Sequence, residues 1–461
     1  MGGPWRGASR FVGSRRGAGR AGISAALRRH AFPDLGVSRS RERWTVVAAG
    51  LLGLLGSAVS LWRQPGSALD NTWAEDGRVF LQGTYTGSSV WSTLTEPYNG
   101  YLQVYSRLVA LLARTLPVRD AAAVMALGGA AACGIAVATV VVASAGLVAS
   151  PALRLLLGAA VAFWPLAGGE IAANSANAHW YLVLAAAVCV VWRPRTAAGG
   201  LLAGTVGLLA SSTDPLTGLL LPALVVRVVA LPRWRENAIT VGVLAGLVVQ
   251  VGALLNPTLV AATVHPGAME LFRSWVTRGP AAAYVGAGPA TTAGTVPTVL
   301  TLVVLTATLA ACAAGHRGLP ALVLTGTGLL LFGVAVYLRW SPAMAAGAPQ
   351  QIGGRYGLSP SVLTLVVLAG ALDTAVTAAR RRGRPLPAGA AVLAAALLLI
   401  VVAVPATTGL RSGQDRRPSW VRQVEAARQA CTGQPDRASV VILGSPTRVW
   451  STRIPCGDLR G

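Results

Sequence analysis

Lysine is missing from this chain, and all 39 basic residues are arginine. That absence reads as coding bias and carries no functional weight. Charge of any kind is scarce: 12% of the 461 residues are charged and 53% are hydrophobic, whereas a soluble domain usually carries about a quarter charged residues. With a mean hydropathy of +0.58, the balance excludes an ordinary soluble domain and leaves an all-α polytopic membrane protein. Cysteine is sparse too. None of the five has metal-ligand spacing, and Cys133, Cys189 and Cys312 sit in apolar runs as ordinary buried thiols. Cys431 and Cys456 lie in a polar tail and can pair if that tail faces an oxidising compartment. A convincing signal-peptide cleavage site is lacking, as is an internal repeat of the transporter kind.

What is there is strongly basic. A net charge of +23 would suggest nucleic acid in a soluble chain. Here the arginines lie mostly in the N-terminal tail and in short loops, so they read as topology signals and lipid headgroup contacts. Membrane lipid is the expected partner and nucleic acid is not.

In chain order, residues 1–43 form an Arg-, Gly- and Ser-rich tail without apolar periodicity, expected to be disordered and cytoplasmic. Residues 44–408 form the transmembrane domain, with about eleven spans at 44–62, 121–146, 153–167, 179–192, 196–211, 215–231, 237–255, 297–314, 319–338, 358–379 and 387–408. The segment 101–116 is helical, but Gln103, Arg107 and Arg114 disfavour a lipid-facing span, so a re-entrant or interfacial helix is expected. That choice puts Arg154, Arg193, Arg195, Arg233, Arg235, Arg317 and Arg380 to Arg384 on the cytoplasmic side. Residues 409–461 then form an extracytoplasmic tail. It is too small to fold alone unless docked or stapled by Cys431 and Cys456, and its SVVILG stretch suggests a strand.

The same parity collects most remaining polar residues on the outer side of a plasma-membrane protein. These are Glu75 and Asp76 in the first loop; Glu170, Asn174, Asn177 and His179; Asp214; Glu270 and Arg273; and Arg355 with Tyr356. Convergence of titratable groups on one face suggests a site opening there. Glu75 and Asp76 are consecutive, so they point in different directions, one toward a site and the other toward an Arg or a helix terminus. Either can act as a general base or merely open a helix. Arg355 can bind phosphate through two parallel hydrogen bonds or anchor the interface, and Tyr356 can offer its hydroxyl or pack on a lipid chain. His179 can bind a phosphate or sugar, or serve as a structural histidine. Asn174 and Asn177 can bind sugar hydroxyls or cap the helix that follows, and Asp214 before Pro215 suits an N-cap. Glu75, Asp76 and Asp214 are the available oxygens for a divalent cation, which would need a full oxygen cage.

The stretches WAEDGRVFL, EPYNGYLQVYSRLVALL, NSANAHWYL and GGRYGLSP resemble the GT-C class of polytopic glycosyltransferases, notably actinobacterial members. The resemblance covers residues 44–408. It implies a polyprenyl-phosphate sugar donor, a cell-envelope glycan, lipid or protein acceptor, Asp76 or Glu75 as base, and Arg355 on the donor phosphate. The chain departs from several relatives in its short C-terminal tail. A transporter or flippase of lipid-linked sugar is the alternative. It would place charges in mid-span, whereas Asp373 lies toward the inner end of its span and most others sit at ends.

Overall fold

The computed structural model describes residues 24–36, 39–64, 68–164, 171–255, 265–285, 295–339, 354–382, 419–445 and 450–460. The expected span at 387–408, Glu170, Arg384 and most of the N-terminal tail lie outside them.

The fold is a helix bundle with a small polar cap. Its principal helices are α1 (Arg39–Trp62), α2 (Val104–Arg114), α3 (Ala121–Ala143), α4 (Pro151–Ala162), α5 (Ala178–Val191), α6 (Ala197–Thr213), α7 (Leu221–Ala230), α8 (Trp234–Leu255), α9 (Ala268–Val276), α10 (Thr295–Ala314), α11 (Gly318–Leu338) and α12 (Gly354–Arg381). Five helical segments are long and apolar enough to cross a membrane: Glu42–Trp62, Val118–Gly146, Trp234–Leu255, Gly318–Leu338 and Arg355–Arg381. Five shorter apolar helices, Pro151–Ala162, Ala178–Val191, Ala197–Thr213, Pro215–Ala230 and Thr298–Ala314, accompany them. Each coincides with an expected span; at a rise of about 1.5 Å per residue the first four of the shorter ones fall below the roughly 30 Å of hydrocarbon, whereas the last, counted as the whole of α10, reaches it. Large apolar side chains such as Leu51, Leu54, Val248, Leu255, Val303 and Leu322 are exposed along the outer helices, a surface suited to lipid. Helix α2 has only 11 residues. It buries Tyr105, Arg107, Ala110 and Ala113 against the rest of the protein, as the polar residues in its sequence require.

Contacts between helix ends sort the charges. At the end where α1 begins, Arg154 forks onto Glu42 through both terminal nitrogens (3.1 Å each), and Arg193 binds Glu236 at 2.6 Å. At the α11 start, Arg317 meets Asp373 at 2.6 Å. Asp373 also accepts from the Ala149 and Ser150 amides, so a buried pair holds the α3 to α4 turn. One expectation differs here. Within the tail whose composition suggests disorder, residues 24–31 are helical. Leu27, Ala31 and Phe32 bury against Ala230 and Leu231, and Arg28 Nε donates to the Ala230 carbonyl. A short apolar stripe with two capping contacts, the second from Ser24 Oγ to the Val229 carbonyl, suffices once α7 supplies the other half of the core.

At the opposite end lies the cap. Helix α13 (Trp420–Ala430), strands β1 (Ser439–Leu443) and β2 (Ser451–Pro455), and the short α14 (Cys456–Arg460) make an α/β tail. The strands pair antiparallel, with Val441 opposite Arg453. The tail is both stapled and docked. Cys431 and Cys456 are disulfide-bonded, and Trp420, Val424, Ile442, Ile454 and Leu459 share one apolar cluster with Phe80 and Leu81 of the first loop, Ala110 of α2 and Met125 of α3.

Asp373→Ala leaves the Arg317 guanidinium buried without its counter-charge, and a loss of about 3–5 kcal/mol is expected. Asp34→Ala, which removes an exposed partner of Arg195, is expected to change stability little. Thermal unfolding of the solubilised protein measures both.

Candidate functional site

The site begins with a strained turn. Ala74 has φ 43°, a left-handed conformation that costs a non-glycine residue about 1–2 kcal/mol. The turn redirects the chain just before Glu75 and Asp76 and starts the π-helical segment Asp76–Leu81. Asp76 turns inward. Its Oδ2 accepts the Ser175 amide (3.0 Å) and its Oδ1 the Ala176 amide (2.7 Å), and the residue is 2% exposed. Burial pushes its carboxyl well above the usual range, the two amides oppose that shift, and the Glu75 charge adds to it. Glu75 turns the other way and is half-buried in the wall of a cavity of about 530 Å3.

The second wall is the loop that Asp76 grips. Asn174 is buried, and its Oδ1 accepts the Asn177 amide at 3.3 Å. Its backbone lies against α3 at Gly129, where a Cβ would come within 2.3 Å of the Asn174 nitrogen, so only glycine allows the approach. Asn177 and His179 then enter the cavity wall at the start of α5. His179 Nδ1 is 2.6 Å from Asp214 Oδ2. A carboxylate only accepts, so Nδ1 carries the proton and the other ring nitrogen, Nε2, is left for a ligand. Asp214 also caps the turn Pro215–Leu220 by accepting the Leu216 amide at 2.8 Å, so the N-cap expected from the sequence also orients His179.

A third wall comes from the motif YNGY. Asn99 (φ 55°) and Gly100 (φ 84°) are both left-handed, and Tyr98 and Tyr101 exchange backbone hydrogen bonds. This is the geometry of an Asn-Gly turn. It sends the Tyr98 hydroxyl toward Glu75 Oε1 (3.4 Å), and burial together with the Glu75 charge raises that hydroxyl to about 12. Gln250, deep in α8, holds the end of this segment by pairing with both the amide and carbonyl of Leu102. Arg355 and Tyr356, at the start of α12, face across. The guanidinium lies 5.1 Å from the tyrosine ring centroid, and Trp180 meets the same ring edge-on at 5.2 Å. Arg339, just past α11, adds a second guanidinium. The remaining wall is apolar: Leu216, Leu219, Leu254 and Leu338 among others.

Of the residues the sequence singles out, Glu75, Asn177, His179, Asp214, Arg355 and Tyr356 line one cavity, whereas Asp76 and Asn174 stand behind its wall and hold the loops. Arg273 and Glu270, on α9, are not part of it. Sequence reasoning missed Arg339, Tyr98, Asn99, Tyr101 and Gln103. Arg339 ends an apolar run much as Arg355 begins one, and the Asn-Gly pair was the available signal for the turn. Among the described residues, no three His, Cys, Asp or Glu side chains converge as a metal-binding group. Compared with protein-family models, curated proteins and solved structures, the chain matches none.

Asp76→Asn replaces one acceptor by an amide that faces a backbone N–H, and a loss of about 1–3 kcal/mol is expected, with faster hydrogen exchange at Ser175 and Ala176. Glu75→Gln, at a half-exposed group with one long hydrogen bond, is expected to leave the unfolding temperature unchanged.

Proposed function

We propose that this chain is a membrane glycosyltransferase of the GT-C type, moving a sugar from a polyprenyl-phosphate donor to a cell-envelope acceptor. The observation that supports it is the make-up of the cavity: the carboxylate of Glu75, the guanidiniums of Arg339 and Arg355, and a leucine wall share one space. A lipid-linked phosphate needs all three.

In this reading Glu75 takes the proton of the acceptor hydroxyl as its oxygen attacks the anomeric carbon. The bond from that carbon to the phosphate oxygen breaks, the configuration inverts, and the electron pair leaves with polyprenyl phosphate. Arg339 and Arg355 stabilise the phosphate charge as it develops. His179, oriented by Asp214, and Asn177 bind sugar hydroxyls, while Tyr356 and the leucines receive the first isoprene units. Asp76 is a positioning residue: its carboxylate is occupied by two amides. The finer topology belongs to the same proposal, with eleven spans including 387–408, the arginine-paired helix ends in the cytoplasm, and the disulfide-bonded tail outside, where oxidising conditions keep such a bond.

With a labelled prenyl-phosphate sugar in reconstituted vesicles, Glu75→Gln is expected to lower transfer on the order of 10²–10⁴-fold without unfolding the protein. Arg339→Ala and Arg355→Ala are expected mainly to raise KM for the donor. Full transfer by Glu75→Gln would remove the carboxylate mechanism, and labelled lipid crossing the bilayer without transfer would favour a flippase.

A further inference from the structure

The acid loop is hydrogen-bonded to the C-terminal tail at its strained residue. Ala74 is a non-glycine residue in the left-handed region, one position before the acid that faces the cavity, and its amide donates to the Ser445 carbonyl (2.7 Å). The Ser445 amide in turn donates to the Thr72 carbonyl (2.9 Å). The pair is a parallel bridge between Trp73 and Ser445, joining the first loop to the tail more than three hundred residues later. Three further contacts follow the same seam. A Cβ on Gly77 would sit 2.4 Å from Thr452 Oγ1, so the π-helical turn and β2 touch there. Arg453 donates its amide to Gln82 Oε1 (2.8 Å), and the Val421 amide donates to Asp70 Oδ1 (2.8 Å).

We infer that the disulfide-bonded tail is a positioning element for the Glu75 loop, with Ser445 as its contact residue. The inference rests on the reading of Glu75 as the base. Among its described residues, the tail lines none of the cavity. Its role is to supply the hydrogen bonds that hold Ala74 left-handed, a conformation alanine does not keep unaided. The Cys431–Cys456 bond ties the start of α14, and through it β2, to the end of α13. It therefore stabilises the surface on which Ser445 is presented, and reduction loosens the aim of Glu75 without touching the cavity.

The test uses the full-length protein in lipid nanodiscs, oxidised and reduced, with amide hydrogen exchange of residues 71–81 read beside that of the α5 core. Ser445→Pro deletes the amide that Thr72 uses, whereas Ser445→Ala keeps both backbone bonds. Reduction and Ser445→Pro are expected to raise exchange at 71–81 while α5 stays protected. They are also expected to lower kcat by about ten- to a hundredfold at nearly constant donor KM, and Ser445→Ala is expected to do neither. Ala74→Gly, which removes the conformational demand, is expected to restore part of the kcat lost in Ser445→Pro. Unchanged exchange at 71–81 in both the reduced protein and Ser445→Pro would overturn the inference. If exchange responds as expected but the oxidised wild type transfers no sugar, the tail still positions the loop and the glycosyltransferase reading is the one that fails.

Discussion

Everything at the polar end of this protein depends on one carboxylate receiving two backbone amides. Asp76 joins a loop that follows α1 to a loop that precedes α5, about a hundred residues on. Consecutive side chains on a helical turn diverge by roughly 100°, so anchoring Asp76 inward aims Glu75 outward. The same anchor fixes the start of α5 and so the ring of His179. Two chemically distinct walls of the cavity are registered to each other by a residue that belongs to neither.

The charges fall into two populations. Arg154, Arg193 and Arg317 are each paired with an acid, and the fully buried Arg227 is spent on the carbonyls of Cys189, Val190 and Glu236. A guanidinium in a low-dielectric bundle has to be satisfied in this way. Arg339 is different: among the described residues no carboxylate lies in ion-pair contact with it, and it borders the cavity. Since the chain has no lysine, arginine serves both populations, and only pairing tells a structural cation from one available to an anionic ligand.

The coarse architecture was legible because apolar run length is written locally: each described apolar helix coincides with an expected span. Convergence of Glu75, His179, Asp214 and Arg355 was legible from the alternation of spans, since His179 and Arg355 begin helices that run away from the end of the bundle at which α6 delivers Asp214 and α1 delivers the Glu75 loop. The division of labour between Glu75 and Asp76 was not. Which of two adjacent acids faces inward depends on the φ of Ala74 and on amides from a distant loop, and neither leaves a local trace. Asn174 illustrates the same limit, since its burial is decided by a glycine on α3. Arg339 was overlooked for a simpler reason, as nothing local separates a helix-end arginine that anchors from one that lines a cavity.

The amphiphilic cavity follows from where the chain spends its few polar residues. Its polar side is built from the loop segments around Glu75, Tyr98 and His179, which must satisfy their own backbone and therefore carry turns, caps and strained residues. Its apolar side is built from helix ends and the Pro215–Leu220 turn, where Leu254 and Leu338 remain exposed. A wholly polar ligand would leave the leucines facing water, and a wholly apolar one would strip hydration from Arg339 and Glu75 without replacing it. A molecule that changes character along its length, as the proposed lipid-linked donor does, would offset both costs.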